Sequence, residues 1–215
     1  TGHKKNVEDE ARKIISTLHY KNIRSHKNKL LMCFHSKQSK DAQTLEKRFS
    51  AKVETDASIS SDRYNGFTYP KTPVITNLKP QSIQLLNWGL IPFWAKDNSI
   101  RANTLNARIE TITEKPSFKS NVKNRCLILS DGFFEWQWLD EKGKQKQQYL
   151  ITLPNDEPFA FAGIFSDWTD KTTGEIVSTY SMVTTEANTL MAEIHNTKKR
   201  MPVILTPSNE NLWLN

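Results

Sequence analysis

Arg125-Cys126-Leu127-Ile128-Leu129-Ser130-Asp131-Gly132-Phe133-Phe134-Glu135-Trp136 joins an apolar run to an aromatic one through an Asp-Gly turn signal. Runs of this length, bounded by turn residues, read as strands. Outward from them, Ile83–Trp88, Trp136–Leu139, Gln148–Leu153, Phe159–Phe165 and Val177–Thr184 are strand-like as well. Lys142-Gly143-Lys144 reads as a hairpin turn, and Asp170 to Gly174 as another. Beyond residue 32, helix signals are confined to about 40–50, where Ala42, Leu45 and Phe49 share a face, to a stretch that Thr185 can cap, through about Ile194, and to a start at Thr206-Pro207. Residues 53–80, with Gly66, Pro70, Pro73 and Pro80, read as a long loop. Many strands with few helices predict an α+β domain built on curved antiparallel sheets, with a barrel-like core.

The chain has 215 residues, which favours one domain over two. Residues 1–32 differ from the rest. Val7, Ala11, Ile14, Ile15 and Leu18 recur at helical spacing, and the basic stretch Lys21 to Lys29 follows. That segment carries +5 of the formal charge of +7, leaving only +2 on the other 183 residues. An argument for an anionic partner therefore has to rest on local clusters. No apolar run approaches a membrane span, and no secretory leader opens the chain. The expectation is a cytoplasmic protein, nucleoid-associated in a bacterium. Two cysteines, Cys33 and Cys126, are too few for a disulfide framework or a cysteine-based zinc site. Neither a metal nor an organic cofactor is expected, and the protein is expected to be a monomer.

Four local features could carry chemistry. They are Met32-Cys33-Phe34-His35, Asn106-Ala107-Arg108-Ile109-Glu110, the aromatic-flanked Glu135, and Glu193-Ile194-His195 followed by Lys198-Lys199-Arg200-Met201-Pro202. Among aromatics a carboxylate loses hydration, which raises its pKa toward values useful for proton transfer. Each feature also has a plain structural explanation. A lone cysteine is more often a buried spectator. Glu135 can be a paired strand-edge carboxylate, His195 a cation satisfying helix C-terminal carbonyls, and Lys198–Arg200 a solvated basic face. Residue chemistry alone names no reaction.

Taken in order, the motifs resemble the SRAP family, the SOS-response-associated peptidases or abasic-site processing proteins. The resemblance rests on Asn106–Glu110, Asp131–Trp136, Ile194-His195 with Met201-Pro202, Met32-Cys33, Arg63-Tyr64-Asn65 and Asn87–Trp94, and it runs from about residue 32 to 210. Many members read Cys-Gly-Arg at the start; this chain reads Cys33-Phe34-His35. The resemblance implies a single SRAP-like domain over 33–215, shortened at its C-terminal end, with 1–32 as an extension.

It also implies a mechanism. The α-amine of an N-terminal cysteine condenses with the ring-opened aldehyde of an abasic site, and its thiol closes a thiazolidine ring. An α-amine with a pKa of ~7.7–8.0 is partly neutral at physiological pH. Cys33 would be the nucleophile, Asn106 would orient the opened sugar, Glu135 would shuttle protons and support β-elimination, and His195 would assist ring opening. Arg108, Arg63, Lys198, Lys199 and Arg200 would hold phosphates, and Phe93 and Trp94 would stack on bases of single-stranded DNA. While residues 1–32 stay attached, the nitrogen of Cys33 is an amide and cannot form the Schiff base. The amine is freed if Met32 is the true start and is removed, or if the chain cuts itself between Met32 and Cys33, the self-processing peptidase role that the family name implies; otherwise the protein is inactive until processed. Two other readings stay open: a cysteine-dependent peptidase acting on proteins, and a non-catalytic single-strand binding module.

Overall fold

A computed structural model describes residues 19–23, 34–54 and 58–215. The helix expected over 7–18 and Cys33 itself lie outside the described residues. In chain order the strands are β1 (His19–Ile23), β2 (His35–Gln38), β3 (Lys52–Val53), β4 (Ser61–Asn65), β5 (Lys71–Thr76), β6 (Lys79–Trp88) and β7 (Asn106–Arg108). Then come β8 (Arg125–Ser130), β9 (Gly132–Trp138), β10 (Lys146–Thr152), β11 (Phe159–Thr169), β12 (Ile176–Glu186), β13 (Arg200–Pro202) and β14 (Ile204–Leu205). The helices are α1 (Ala42–Phe49), α2 (Thr189–Ile194) and α3 (Pro207–Leu214). The α+β class expected from the sequence is the one observed.

Five strands close on themselves. β5 pairs with β6 and β8, β8 with β11, and β11 with β12, all antiparallel. The ring closes through a short parallel pairing, Thr179 with Asn87 and Tyr180 with Trp88. A second sheet, in the order β1-β10-β9-β2-β4, lies against this barrel. Strand β8 shows why the run Cys126–Leu129 does not alternate in polarity. Cys126 and Ile128 enter one core cluster, Leu127 and Leu129 another, so both faces of the strand are covered. The cluster with Cys126 also takes Phe133 and Ile151 from the second sheet and therefore joins the two sheets.

Two sequence readings are corrected. The supposed loop over 53–80 holds two strands, β4 and β5, and the start of a third. Pro73 suggested loop, yet it lies in register with Leu85 of β6, while the ladder to β8 begins only at Val74. The missing N–H therefore falls outside the β8 pairing, where proline is tolerated. The helix read as capped by Thr185 is capped three residues later. β12 continues through Glu186 because Thr185 and Glu186 pair with β13, and the helix cap is Asn188, whose side chain accepts from Met191 N. The other readings agree with the structure: Gly143 turns the β9–β10 hairpin at φ +61°, and Thr206 caps α3 with Pro207 following it.

Candidate functional site

Alternation along β9 puts Phe133, Glu135 and Gln137 on one face and Phe134, Trp136 and Trp138 on the other. Phe133 is in the shared core, Glu135 is 1% exposed, and Gln137 Nε2 donates to the carbonyl of Glu193 in α2 at 3.1 Å. The face bearing Glu135 is thus turned toward the helix that His195 ends.

His195 is the C-cap of α2, and its backbone N–H returns to the Met191 carbonyl. Its ring is 2% exposed, with Nδ1 at 2.7 Å from the carbonyl oxygen of Arg200. A carbonyl only accepts, so Nδ1 carries the proton in the neutral ring and Nε2 is left as a lone-pair nitrogen. Nε2 is buried and has no hydrogen-bond partner among the described residues. A buried, oriented imidazole nitrogen of this kind suits proton transfer.

Asn106 opens β7, which pairs in parallel with β12 so that Asn106 stands opposite Met182 and Arg108 opposite Thr184. Two bonds set its entry. Met182 N and the buried Trp88 indole Nε1 both donate to the carbonyl of Leu105, the latter at 2.9 Å. Thr104 also exchanges bonds with Leu90. This stitching sets the segment after Trp88 beside the start of β7. That segment turns at Pro92, where the carbonyl accepts from Ala95 N, and presents Phe93 and Trp94 at 65% and 46% exposure. Ile91 and Ala95 on either side are buried with Trp168, so the two exposed rings project from a fixed turn.

The strand leading from Cys33 is β2. Ser36 pairs with Phe133 and Lys37 with Gly132, an antiparallel register that runs the start of β2 toward Glu135. Phe34, bonded to Cys33 through the peptide, is buried in the same cluster as Phe133, Leu105 and Ile194. Three of those neighbours lie one residue from Cys33, Asn106 and His195, and the fourth shares a strand face with Glu135. The far end of β2 is anchored at Asp131. Its carboxylate is fully buried and accepts from Lys37 Nζ at 2.7 Å, Ser39 Oγ at 2.6 Å and Ser39 N at 3.0 Å. Burial alone would raise its pKa, but these bonds hold it below the usual carboxylate value.

The basic residues fall into two groups. Arg108, Lys198 and Lys199 are exposed, and Arg63 is exposed with its guanidinium 4.1 Å from the centre of the Phe134 ring. Arg200 is largely engaged within the protein. It forms two 2.9 Å bonds to the Glu110 carboxylate and donates to the Thr184 carbonyl. Glu110 in turn is held below its ordinary pKa; burial opposes this and Arg200 outweighs it. His35 lies edge-on to Trp136 at 5.0 Å between ring centres. Burial, aided by the charge of Arg63, lowers its pKa to about 4. It is neutral at pH 7 and does not supply the charge of an arginine. Sequence reasoning does not pick out Gln137 or Asn196, which join β9 to the His195 turn. The period-two spacing of Gln137 from Glu135 is the one sign that could have marked it.

Among the described residues no three His, Cys, Asp or Glu side chains are grouped to hold a metal ion, and no helix is long and apolar enough to cross a membrane. The fold and site define a class: a closed barrel backed by a second sheet, with a buried carboxylate and an oriented histidine on elements tied together. The family model for SOS response associated peptidase (SRAP) matches residues 32–215, and the chain belongs to that family.

Its relatives include the abasic site processing protein YoqW of Bacillus subtilis, 48% identical over 131 residues, covering 60% of this chain and 56% of YoqW. Another is the abasic site processing protein HMCES of Xenopus tropicalis, 29% identical over 181 residues, covering 70% of this chain and 52% of that protein. The chain thus spans about half the length of the curated relatives it matches. A crystal structure of a Bacteroides thetaiotaomicron protein superposes with a TM-score of 0.78 at 40% identity, covering 85% of this chain and 81% of that one. A Bordetella bronchiseptica protein superposes at 0.71 with 24% identity, covering 85% and 88%, a likeness of fold alone.

Proposed function

We propose that this chain recognises abasic sites in single-stranded DNA and bonds covalently to the opened sugar through Cys33. The observation that carries the reading is the common core under the candidate residues. Phe34, Leu105 and Ile194 adjoin Cys33, Asn106 and His195 in sequence, Phe133 shares the face of Glu135, and all four pack in one cluster. The names of the relatives point the same way.

The chemistry needs two groups on one residue. The Cys33 amine adds to the aldehyde carbon of the opened deoxyribose, forming a C–N bond and a carbinolamine. Loss of water leaves an imine. The thiol then adds to the imine carbon, its proton passing to nitrogen, and closes the five-membered ring. Aldehyde, amine and thiol give thiazolidine and one water, with no change of redox state. Glu135 is the proton carrier for carbinolamine dehydration, and its burial keeps bulk water from competing. His195, with Nε2 unprotonated in its neutral form, takes the hydroxyl proton when the sugar ring opens. Asn106 orients the sugar. Arg108, Lys198, Lys199 and Arg63 contact phosphates, and Phe93 and Trp94 stack on flanking bases.

The decisive measurement pairs intact mass with a denaturing gel. Purified protein is incubated with single-stranded DNA carrying an excised uracil. Protein whose mass begins at Cys33 should give a denaturation-resistant band. Cys33→Ala and any form still joined to residue 32 should give none. Glu135→Ala should slow the band while leaving noncovalent affinity nearly intact. A crosslink formed by the unprocessed chain would eliminate the amine mechanism.

A further inference from the structure

Asn196 follows His195, and its exposed side chain bonds to Trp138 on both sides of that residue. Trp138 N donates to Asn196 Oδ1 at 3.0 Å, and Asn196 Nδ2 donates to the Trp138 carbonyl at 2.8 Å. A side-chain amide here reproduces the pair of bonds that a neighbouring strand would make to one residue. The clamp is reinforced at the neighbouring residue of β9. Gln137 Nε2 holds the Glu193 carbonyl, while Gln137 Oε1 accepts from Tyr149 Oη at 3.1 Å. Tyr149 is the register partner of Glu135 on β10. Three hydrogen bonds from the end of β9 therefore land on residues 193 and 196, which bracket His195.

We infer that Asn196 is a positioning residue that fixes the His195 turn to the strand carrying Glu135. Without it, the turn from His195 to Lys199 keeps the bond from Lys199 N to the His195 carbonyl and the Nδ1 contact to Arg200. Those bonds lie within the turn and its own strand. They do not set the distance from the turn to β9; the remaining bond from Gln137 Nε2 to the Glu193 carbonyl ties β9 to the helix before His195, and Asn196 ties it to the turn after. Asn196 is exposed, so its conservation of geometry does not depend on core packing, and its loss should leave the fold in place.

The effect on catalysis rests on the function proposed above, whereas the effect on the turn does not, so two readouts are used. The first is nitrogen NMR of the His195 ring in the full chain without DNA. Wild type should show one tautomer with Nδ1 protonated; Asn196→Ala should keep that tautomer, because the Arg200 contact remains, but shift the Nε2 resonance as the ring moves relative to β9. The second is a double-mutant cycle on the crosslinking rate. Asn196→Ala should slow the reaction about fivefold or more when His195 is present and less than about twofold in a His195→Ala background, because misplacing a group that is already gone costs little. Asn196→Asp keeps the bond from Trp138 N and should recover part of the rate. An unchanged ring signal in Asn196→Ala, or an equal loss of rate in both backgrounds, overturns the inference. Wild-type protein whose mass begins at Cys33 and that never crosslinks sinks the proposed function, and the NMR result then still decides the role of Asn196.

Discussion

His195 Nδ1 lies 2.7 Å from the carbonyl oxygen of Arg200, and the Arg200 side chain is held by both oxygens of Glu110. The imidazole is thus oriented by a backbone atom whose own residue is locked by a carboxylate outside the site. Glu110→Ala should free the half-buried guanidinium and cost about 1–2 kcal/mol, more than an exposed pair because the bonds are bidentate. Crosslinking should slow with it, since Arg200 loses one of its anchors and keeps the β12 pairing and the Thr184 bond. Urea unfolding and the crosslinking rate check the two effects; an unchanged rate would show that the carbonyl is held without Glu110.

Asp131 is the second anchor, at the other end of β2. Asp131→Ala leaves Lys37 and Ser39 without their acceptor and should cost about 3 kcal/mol, with Asp131→Asn costing less because the shape remains. For a domain of this size that corresponds to a fall in melting temperature of roughly 6–12 °C. Calorimetry measures it, and a loss below one degree would mean that the carboxylate contributes nothing net.

Phe93 and Trp94 should act on affinity and not on stability. Both are exposed on a turn whose flanks are buried, so alanine there removes no core contact. Each stacked base is worth about 1–3 kcal/mol, so the double variant should bind single-stranded DNA at least tenfold more weakly while melting as wild type does. Fluorescence anisotropy with undamaged and abasic strands provides the test, and equal affinity would remove these rings from the interface.

Acid should weaken the fold in two stages. With a folded pKa of about 4 against an ordinary 6.5, His35 stays neutral in the fold while the unfolded chain takes up its proton. The unfolded state binds more protons across that window, so stability falls as pH drops from 6.5 to 4 and the His35 contribution then levels off. Asp131 and Glu110 have lowered pKa values, so their contribution is present above the ordinary carboxylate value and is lost as pH falls through the folded one. Denaturant midpoints against pH should show both stages, and His35→Asn should abolish only the upper one.

Much of the fold is legible in single strands. The apolar run Cys126–Leu129, the Gly143 hairpin and the Thr206-Pro207 helix start each carry a local signal strong enough to read alone. Strand β5 was not legible, because Pro73 is a loop signal until one knows which neighbour its missing N–H faces. The start of α2 differs from its sequence signal for a related reason: Thr185 is a good cap, but pairing with β13 keeps it extended. Among the candidate residues, Glu135 and His195 stand out by type and setting. Gln137 and Asn196 do not, since an amide is informative only once its partners are known.

Local chemistry therefore determined which stretches are strands and helices, which residue types can carry reactions, and, through the order of the motifs, the family. Tertiary structure decided which strands close the barrel, that Arg200 is engaged with Glu110, that His35 is neutral, and which nitrogen of His195 holds the proton. The reason is range. Propensity and turn signals act within a few residues of the chain, whereas burial, charge pairing and hydrogen-bond partnership depend on groups brought together from dozens of residues apart.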